Sequence, residues 1–489
     1  MRVLRVRNDY MTTRKYVIKL KHDLQGLAAV AEQAPEYLVG AAEQASENPL
    51  FCGVETDSFS LNVTKQNIMA YTCELAGADT ETLSPRQLMI RLVRIGEKYI
   101  RSELTIIPAK LSVIDYYTAT YKCAHCEQET GESYIEQAKA PVPVMKKSMA
   151  AASTVAYVMQ EKFQKGVPLY RQEEYWKSQG VDLRRNTMAN WVIRSSRWFA
   201  PLWDAFRDEL LQSGIVNADE TDCHVLKEDG RESKQMSKMW VFCSPEKNIA
   251  LYQYKPSRKG QVAKEMLKGF SGYLQTDGYS GYNAVENVTH IGCWAHARRK
   301  WVDCFVDNKP VEGSKSQKAF EYVEKIFALD SSWKDLPPDD RKSHRLAELK
   351  PVMDEYWEFL NSFESDKNSN LGKAQTYSLN QREALESVLL DGRLTLTNNL
   401  AERTVKPFVM SRRNFLFCDT SKGADASALC FSMIETAKRN GLDPFGYLLF
   451  LLQELPKLGE MPAMSCWGCC CAAGCWGCWL EMKLGFGLL

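Results

Sequence analysis

From Ile215 the hydrophobic periodicity of this chain changes, and that change constrains the fold more than any other feature. Upstream, from Pro141 to about Ala200, the pattern is helical. Downstream, IVNADETDCHVL reads as a strand, and MWVFCSP and IALYQYK read as two more, joined by Glu246-Lys247-Asn248, which is hairpin chemistry. GQVAKEMLKGF is a short amphipathic helix. GYLQTDGY is a fourth strand and VTHIGCW a fifth, followed by a helix from Ala295.

Three antiparallel strands, a helix, a strand, then a strand and a helix is the order of a ribonuclease-H-like α/β domain. The first strand is central there and the fourth lies beside it, so Asp219 and Asp277 would face each other across adjacent strands. From about Asn308 to Leu396 the pattern turns helical again. Ala319, Phe320, Val323, Ile326 and Phe327 form one apolar stripe, and Leu346, Leu349, Met353, Tyr356 and Leu360 form another. This predicts an all-helical insertion. Beyond it, Asn398 can cap a helix carrying Glu402, expected to stop near Pro407 because Lys406 precedes a proline. Two more helices are expected, one ending at Gly441 and one capped by Asp443 with Pro444 at its first position.

Three short stretches therefore place a carboxylate at a strand end or in a first helical turn: VNADETD at Asp219, LQTDGYSGYN at Asp277 and TNNLAERTVKP at Glu402. Two aspartates and a glutamate together suit hard divalent cations such as Mg²⁺, which take oxygen ligands and leave positions for phosphate and water. Metal-assisted phosphodiester chemistry on a nucleic acid is the reading. Glu220 and Asp222 are alternatives only if the register is shifted, since on a strand they point away from Asp219.

A chain of 489 residues exceeds one small core and predicts roughly two to four domains. The net charge of +1 gives no sign of a nucleic-acid partner, so basic patches must carry that role. They are Arg184 with Arg185, Arg298 with Arg299 and Lys300, and Arg412 with Arg413. The first residues are basic but carry no apolar signal core, and no core segment reaches membrane-span length. The expectation is therefore a cytoplasmic protein with no membrane partner.

Within the upstream helical region, VPLYRQEEYWKSQGVDLRRNTMANWVIRSSRWF reads as helix, turn, helix. Pro168 suits the first turn, Gly180 ends the first helix, and Asn186 or Thr187 can cap the second. Ala189, Val192 and Ile193 would share an apolar face, leaving Arg184, Arg185, Asn190 and Arg194 towards solvent, as in a DNA-reading helix. The competing reading is a packing hairpin with a solvated charged face. Earlier still, Cys123 and Cys126 form a lone C-x-x-C pair, half the ligand set of a zinc ribbon. With Cys52 and Cys73 isolated, the expectation is no tightly held zinc.

These motifs, with GCWAHARRKW, NNLAERTVKPFVMSRRNFLF and IETAKRNGLDPFGYL, resemble the transposases of the insertion sequence 66 family, a DDE type, from about residue 103 to 458. The resemblance implies that Asp219, Asp277 and Glu402 are the DDE triad, holding Mg²⁺ or Mn²⁺. It implies that Cys293 and His296 are the C-x-x-H element of such enzymes; taken alone, they read as a buried thiol and a helix-start histidine. The implied activity is cleavage of element ends and strand transfer. Its partners would be terminal inverted repeats and target DNA, with a homo-oligomer on DNA and possible accessory element-encoded proteins. The alternative is a decayed, non-mobile DNA-binding remnant.

Phosphate contacts near the centre would come from Arg403, Arg412, Arg413 and Lys422, besides Arg298, Arg299 and Lys300. The organisation expected is a region of unclear function at 1–95 and a degenerate zinc-ribbon-like segment at 96–140. A helical DNA-binding region follows at 141–210. The ribonuclease-H-like core occupies 211–307 and 397–458, split by a helical insertion at 308–396. A Cys- and Trp-rich tail at 459–489, departing from the family pattern, is expected to make no stable contacts.

Overall fold

The computed structural model describes residues 111–123, 128, 131 and 133–458, and the elements below lie in one compact unit that begins at Asp115. The expectations for the region 1–95, for Cys52, Cys73 and Cys126, and for the tail after 458 fall outside the described residues. The chain is mixed α/β. A small antiparallel hairpin comes first: β1 (Thr120–Cys123) against β2 (Tyr134–Gln137), with Thr120 opposite Gln137.

Four helices follow. They are α1 (Ala152–Met159), which runs on into a π-turn at Gln160–Gln164, α2 (Leu169–Ser178), α3 (Arg185–Ser195) and α4 (Ala200–Leu211). Pro168 immediately precedes α2, and Gly180, at φ +76°, turns the chain out of it. The start of α3 differs from expectation. Arg184 is the cap, and it offers no side-chain acceptor, in place of Asn186 or Thr187. The boundary is set instead by packing, since Met188, Trp191 and Val192 are buried and burial outweighs a cap of about 1 kcal/mol. Arg184, Arg185, Asn190 and Arg194 are all exposed.

The sheet begins with β3 (Ile215–Lys227), β4 (Met236–Cys243) and β5 (Ala250–Lys255), an antiparallel meander. Asn248, at φ +51°, makes the β4–β5 turn. After α5 (Gln261–Met266), β6 (Gly272–Gln275) joins β3 in parallel, and β7 (Val288–Ile291) joins β6 in parallel. The spatial order is β5-β4-β3-β6-β7, so the first strand is central and the fourth lies beside it. Alternation along β4 puts Met239, Val241 and Cys243 into one core and Trp240 and Phe242 into another on the opposite face.

A third core is helical. It joins α6 (Trp294–Val302) to α7 (Lys315–Ser332) and, past α8 (Pro338–His344), which buries no residue, to α9 (Lys350–Asn361), α10 (Asn370–Asn380) and α11 (Arg382–Glu386). At its centre Trp294, Tyr356 and Trp357 pack ring against ring. Arg345 is fully buried there; its guanidinium pairs with Asp330 and donates to the carbonyls of Val388, Asp391 and Leu394. That single side chain fixes the return path of residues 388–394 towards the sheet.

The last elements are α12 (Asn399–Phe415), β8 (Cys418–Thr420), which pairs with the far end of β3, α13 (Ser421–Arg439) and α14 (Pro444–Glu454). Helix α12 corrects an expectation, for it runs through Pro407 and does not stop there. An interior proline costs about 3 kcal/mol. Burial of Ala401, Thr404, Val405, Phe408 and Ser411 along one face offsets it, with Phe408 alone contributing about 2 kcal/mol. The carbonyl that Pro407 leaves unbonded belongs to Arg403, on the solvent side of the helix. No helix among the described residues is long and apolar enough to cross a membrane.

Candidate active site

Strand β3 is long enough to serve two partners. It pairs with β6 only as far as Asn217 opposite Gln275, after which β6 ends. Two residues further on stand Asp219, on the same face of β3 as Asn217, and Asp277, in the bend that follows β6. Gly278, at φ +88°, turns the chain sharply at that point. The turn lets Asp277 Oδ1 accept the Tyr279 N–H at 2.9 Å, while the Tyr377 hydroxyl donates to the Asp277 carbonyl at 2.9 Å.

Glu402 comes from the first turn of α12, which packs on the same side of β3. Its position is set by a buried chain of amides. Asn217 Nδ2 donates to Gln275 Oε1 at 3.1 Å and to Asn398 Oδ1 at 3.0 Å; Asn398 Nδ2 donates to the Ala218 carbonyl at 2.8 Å. Gln275 Nε2 in turn donates to the Thr395 carbonyl at 2.6 Å. Asn398 does sit at the N-cap, as its sequence position implies, but its side chain makes no capping bond. It ties the helix to the strand instead, a use that the cap pattern does not reveal.

Asp219 is the carboxylate whose ionisation its surroundings oppose. Burial, then the adjacent Glu220 charge, raises Asp219 to about 7; the Glu220 N–H opposes the shift, and the charges of Asp277 and Glu402 add to it. Glu220 itself points to the other face, where it meets Arg258 and the Tyr282 hydroxyl. Asp222 pairs with Lys238. Both alternatives to Asp219 are thus engaged elsewhere.

A second set of donors meets Glu402. Cys293 caps α6 and His296 lies in its first turn. Ligand atoms of Cys293, His296 and Glu402 lie within 4.8 Å of one another, and His296 Nδ1 is 3.9 Å from Glu402 Oε1. Those last two atoms are buried and have no hydrogen-bond partner. The Asn398 N–H donates to Cys293 Sγ at 3.2 Å. Burial, then the neighbouring Arg299, lowers the His296 pKa, and the Asp277 and Glu402 charges raise it. Taken as an isolated thiol and histidine, Cys293 and His296 give no sign of this group, because its third donor comes from a distant helix.

The basic residues divide by what they touch. Arg299, Lys300, Arg403, Arg413 and Lys422 are exposed. Arg298 pairs with Glu324 and lies over the Phe320 ring. Arg412 donates to the Asp222 carbonyl on β3, so its guanidinium is bound within the fold.

Known proteins share much of this chain. Residues 147–426 match the family model described as transposase IS66 family, and residues 88–127 match the zinc-finger binding domain of transposase IS66. Among similar sequences is the uncharacterised protein y4jD of Sinorhizobium fredii, 30% identical over 387 residues, covering 74% of this chain and 73% of that protein. Another, y4qI of the same organism, is 28% identical over 402 residues, covering 77% and 72%. A third, y4hP, is 25% identical over 390 residues, covering 75% and 69%.

The expectation of no tightly held zinc is overturned. The zinc-finger match runs through Cys123 and Cys126, and Cys293, His296 and Glu402 form a group with metal-ligand chemistry. Both give the chain zinc-binding potential. Counting only paired cysteines towards a tetrahedral set discards mixed sets drawn from separate elements.

Proposed function

The chain belongs to the IS66 family of transposases, and from that premise we propose that it cuts and joins DNA at element ends, with Asp219, Asp277 and Glu402 as the centre of the reaction. The observation that carries this is the raised Asp219: burial is the largest cause, then the Glu220 charge, with the charges of Asp277 and Glu402 adding to it. A half-buried carboxylate near two others is an arrangement that costs stability unless a cation occupies it. The strand order β5-β4-β3-β6-β7 supports reading this half of the chain as a ribonuclease-H-like core, interrupted by the helical insertion.

A pair of hard divalent cations such as Mg²⁺ or Mn²⁺, bound there, would activate the attacking oxygen and stabilise the leaving one. The residues do the rest. Asp219 presents its oxygens from within β3, not from a strand end as its sequence suggests, Asp277 from the bend after β6, and Glu402 closes the third side from α12. The amide chain through Asn217, Gln275 and Asn398 holds strand and helix at fixed spacing, so the carboxylates need no reorganisation when DNA arrives. Exposed Arg403, Arg413, Lys422, Arg299 and Lys300 hold phosphates beside the centre. The α2–α3 hairpin presents Arg184, Arg185, Asn190 and Arg194 to duplex DNA.

The test is cleavage of DNA carrying the terminal inverted repeats, in Mg²⁺ or Mn²⁺, by the full chain. Asp219→Asn, Asp277→Asn and Glu402→Gln should each abolish cleavage and leave DNA binding intact. Cleavage that survives any one of them would remove that residue from the centre.

A further inference from the structure

Glu402 neighbours two sets of donors of different chemical character. One is the oxygens of Asp219 and Asp277. The other is a thiol and an imidazole, Cys293 and His296, whose ligand atoms lie with that of Glu402 inside a 4.8 Å span. Asp219 and Asp277 are not part of this tight group. The two sets differ in what they would take. Oxygen donors suit Mg²⁺ and Mn²⁺, whereas sulfur with imidazole and one carboxylate suits Zn²⁺.

The mixed set has features of a built site. His296 Nδ1 and Glu402 Oε1 are buried, 3.9 Å apart and unpartnered, which is unusual for polar atoms unless something bridges them. Cys293 Sγ accepts the Asn398 N–H at 3.2 Å at the N-terminus of α6; burial raises its thiol pKa, against the backbone N–H groups of Asn398, His296 and Ala295 that lower it, so the thiolate needs a cation beside it. Around a tetrahedral Zn²⁺, with bonds of about 2.0–2.3 Å, donors stand about 3.5 Å apart. The observed group therefore needs to contract by about 1 Å. Cys293 is held by the Asn398 N–H, and His296 is on the same short helix segment. Glu402, on a longer and freer side chain, is the one that moves.

We propose that Cys293, His296 and Glu402 form a zinc site with three protein ligands and one open position, and that its occupation engages Glu402 so that it no longer serves the centre of Asp219 and Asp277. Zinc at this site antagonises the metal-dependent cleavage assigned to the carboxylates. Binding releases the Cys293 thiol proton to solvent and uses His296 as the neutral imidazole. The antagonism rests on the proposed carboxylate centre; the site itself does not.

The experiment uses the full chain with Co²⁺ alone as the probe, read by thiolate-to-metal charge-transfer absorption. A component of that absorption should survive Cys123→Ser, which removes the N-terminal C-x-x-C. It should be lost in Cys293→Ser and in His296→Gln, with melting temperatures checked for both; His296 is partly exposed, so its variant keeps the test valid if the cysteine variant fails to fold. Absorption that vanishes entirely with Cys123→Ser, or persists in both Cys293→Ser and His296→Gln, overturns the site. Zinc added to a Mg²⁺ cleavage reaction should inhibit the unmodified chain. It should inhibit His296→Gln far less, relative to that variant's own zinc-free rate. Inhibition of equal strength in both overturns the antagonism. Asp219→Asn separates the two readings, because it should keep the Co²⁺ absorption while losing cleavage. If it loses neither, the carboxylate centre fails and the zinc site stands.

Discussion

Asn217 Nδ2 donates to Asn398 Oδ1 at 3.0 Å, and that one buried bond joins the strand carrying Asp219 to the helix carrying Glu402. Asn398 also donates to the Ala218 carbonyl, so its removal strands two polar groups in a dry interior. Asn398→Ala should cost about 2–4 kcal/mol of stability, measured by denaturant unfolding. Cleavage should fall further than DNA binding does, because the carboxylates lose their spacing. Wild-type stability in this variant would mean that packing alone holds α12 against β3.

The raised Asp219 makes a prediction about pH. Its carboxyl is held at about 7 in the folded chain by burial and by neighbouring carboxylates, against about 3.9 in an unfolded one. Between those values the native state binds the extra proton, so stability falls as pH rises through that window. Asp219→Asn keeps an oxygen for the Glu220 N–H and cannot ionise. Its melting temperature in chelator should match the parent near pH 4 and exceed it increasingly up to pH 8. A constant difference across that range would show that Asp219 is not strained by its neighbours.

Much of this arrangement was legible in the sequence. The five-strand order followed from short apolar runs separated by hairpin and helix chemistry, and the three acidic stretches stood out within it. The amides beneath them left a trace too: Asn217 and Gln275 each precede their aspartate by two residues, and Asn398 precedes Glu402 by about one helical turn. What stayed hidden depended on contacts between distant segments. The continuation of α12 past Pro407 reflects burial against the sheet, which outweighs a local rule. The start of α3 at Arg185 reflects the packing of Met188 and Trp191. The meeting of His296 with Glu402 requires the whole helical insertion to fold back, and no local pattern encodes that.

Arg345 anchors that insertion. Its guanidinium is buried against Asp330 and three backbone carbonyls. Arg345→Met should destabilise the chain by about 3–5 kcal/mol, since it leaves the carbonyls and Asp330 short of donors. Limited proteolysis should show new cutting between residues 380 and 396. An unchanged digestion pattern would place the anchor elsewhere.

The exposed basic residues on α3 and the bound Arg412 should behave differently. Charge reversal at Arg184 and Arg185 should weaken DNA binding and flatten its salt dependence by roughly one slope unit for each phosphate no longer neutralised. Arg412→Ala should lower the melting temperature first, because that side chain holds the Asp222 carbonyl. If the reversed variants bind element ends as tightly as the parent, α2 and α3 are a packing hairpin and the DNA surface lies elsewhere.

The central claim is that Asp219, Asp277 and Glu402 hold cations as one centre. Mn²⁺ binding to the full chain, followed by electron paramagnetic resonance or calorimetry, addresses it directly. The parent should bind Mn²⁺, and Asp219→Asn, Asp277→Asn and Glu402→Gln should each weaken or remove that binding while the fold persists by circular dichroism. Undiminished Mn²⁺ binding in any one of the three folded variants would contradict a shared centre.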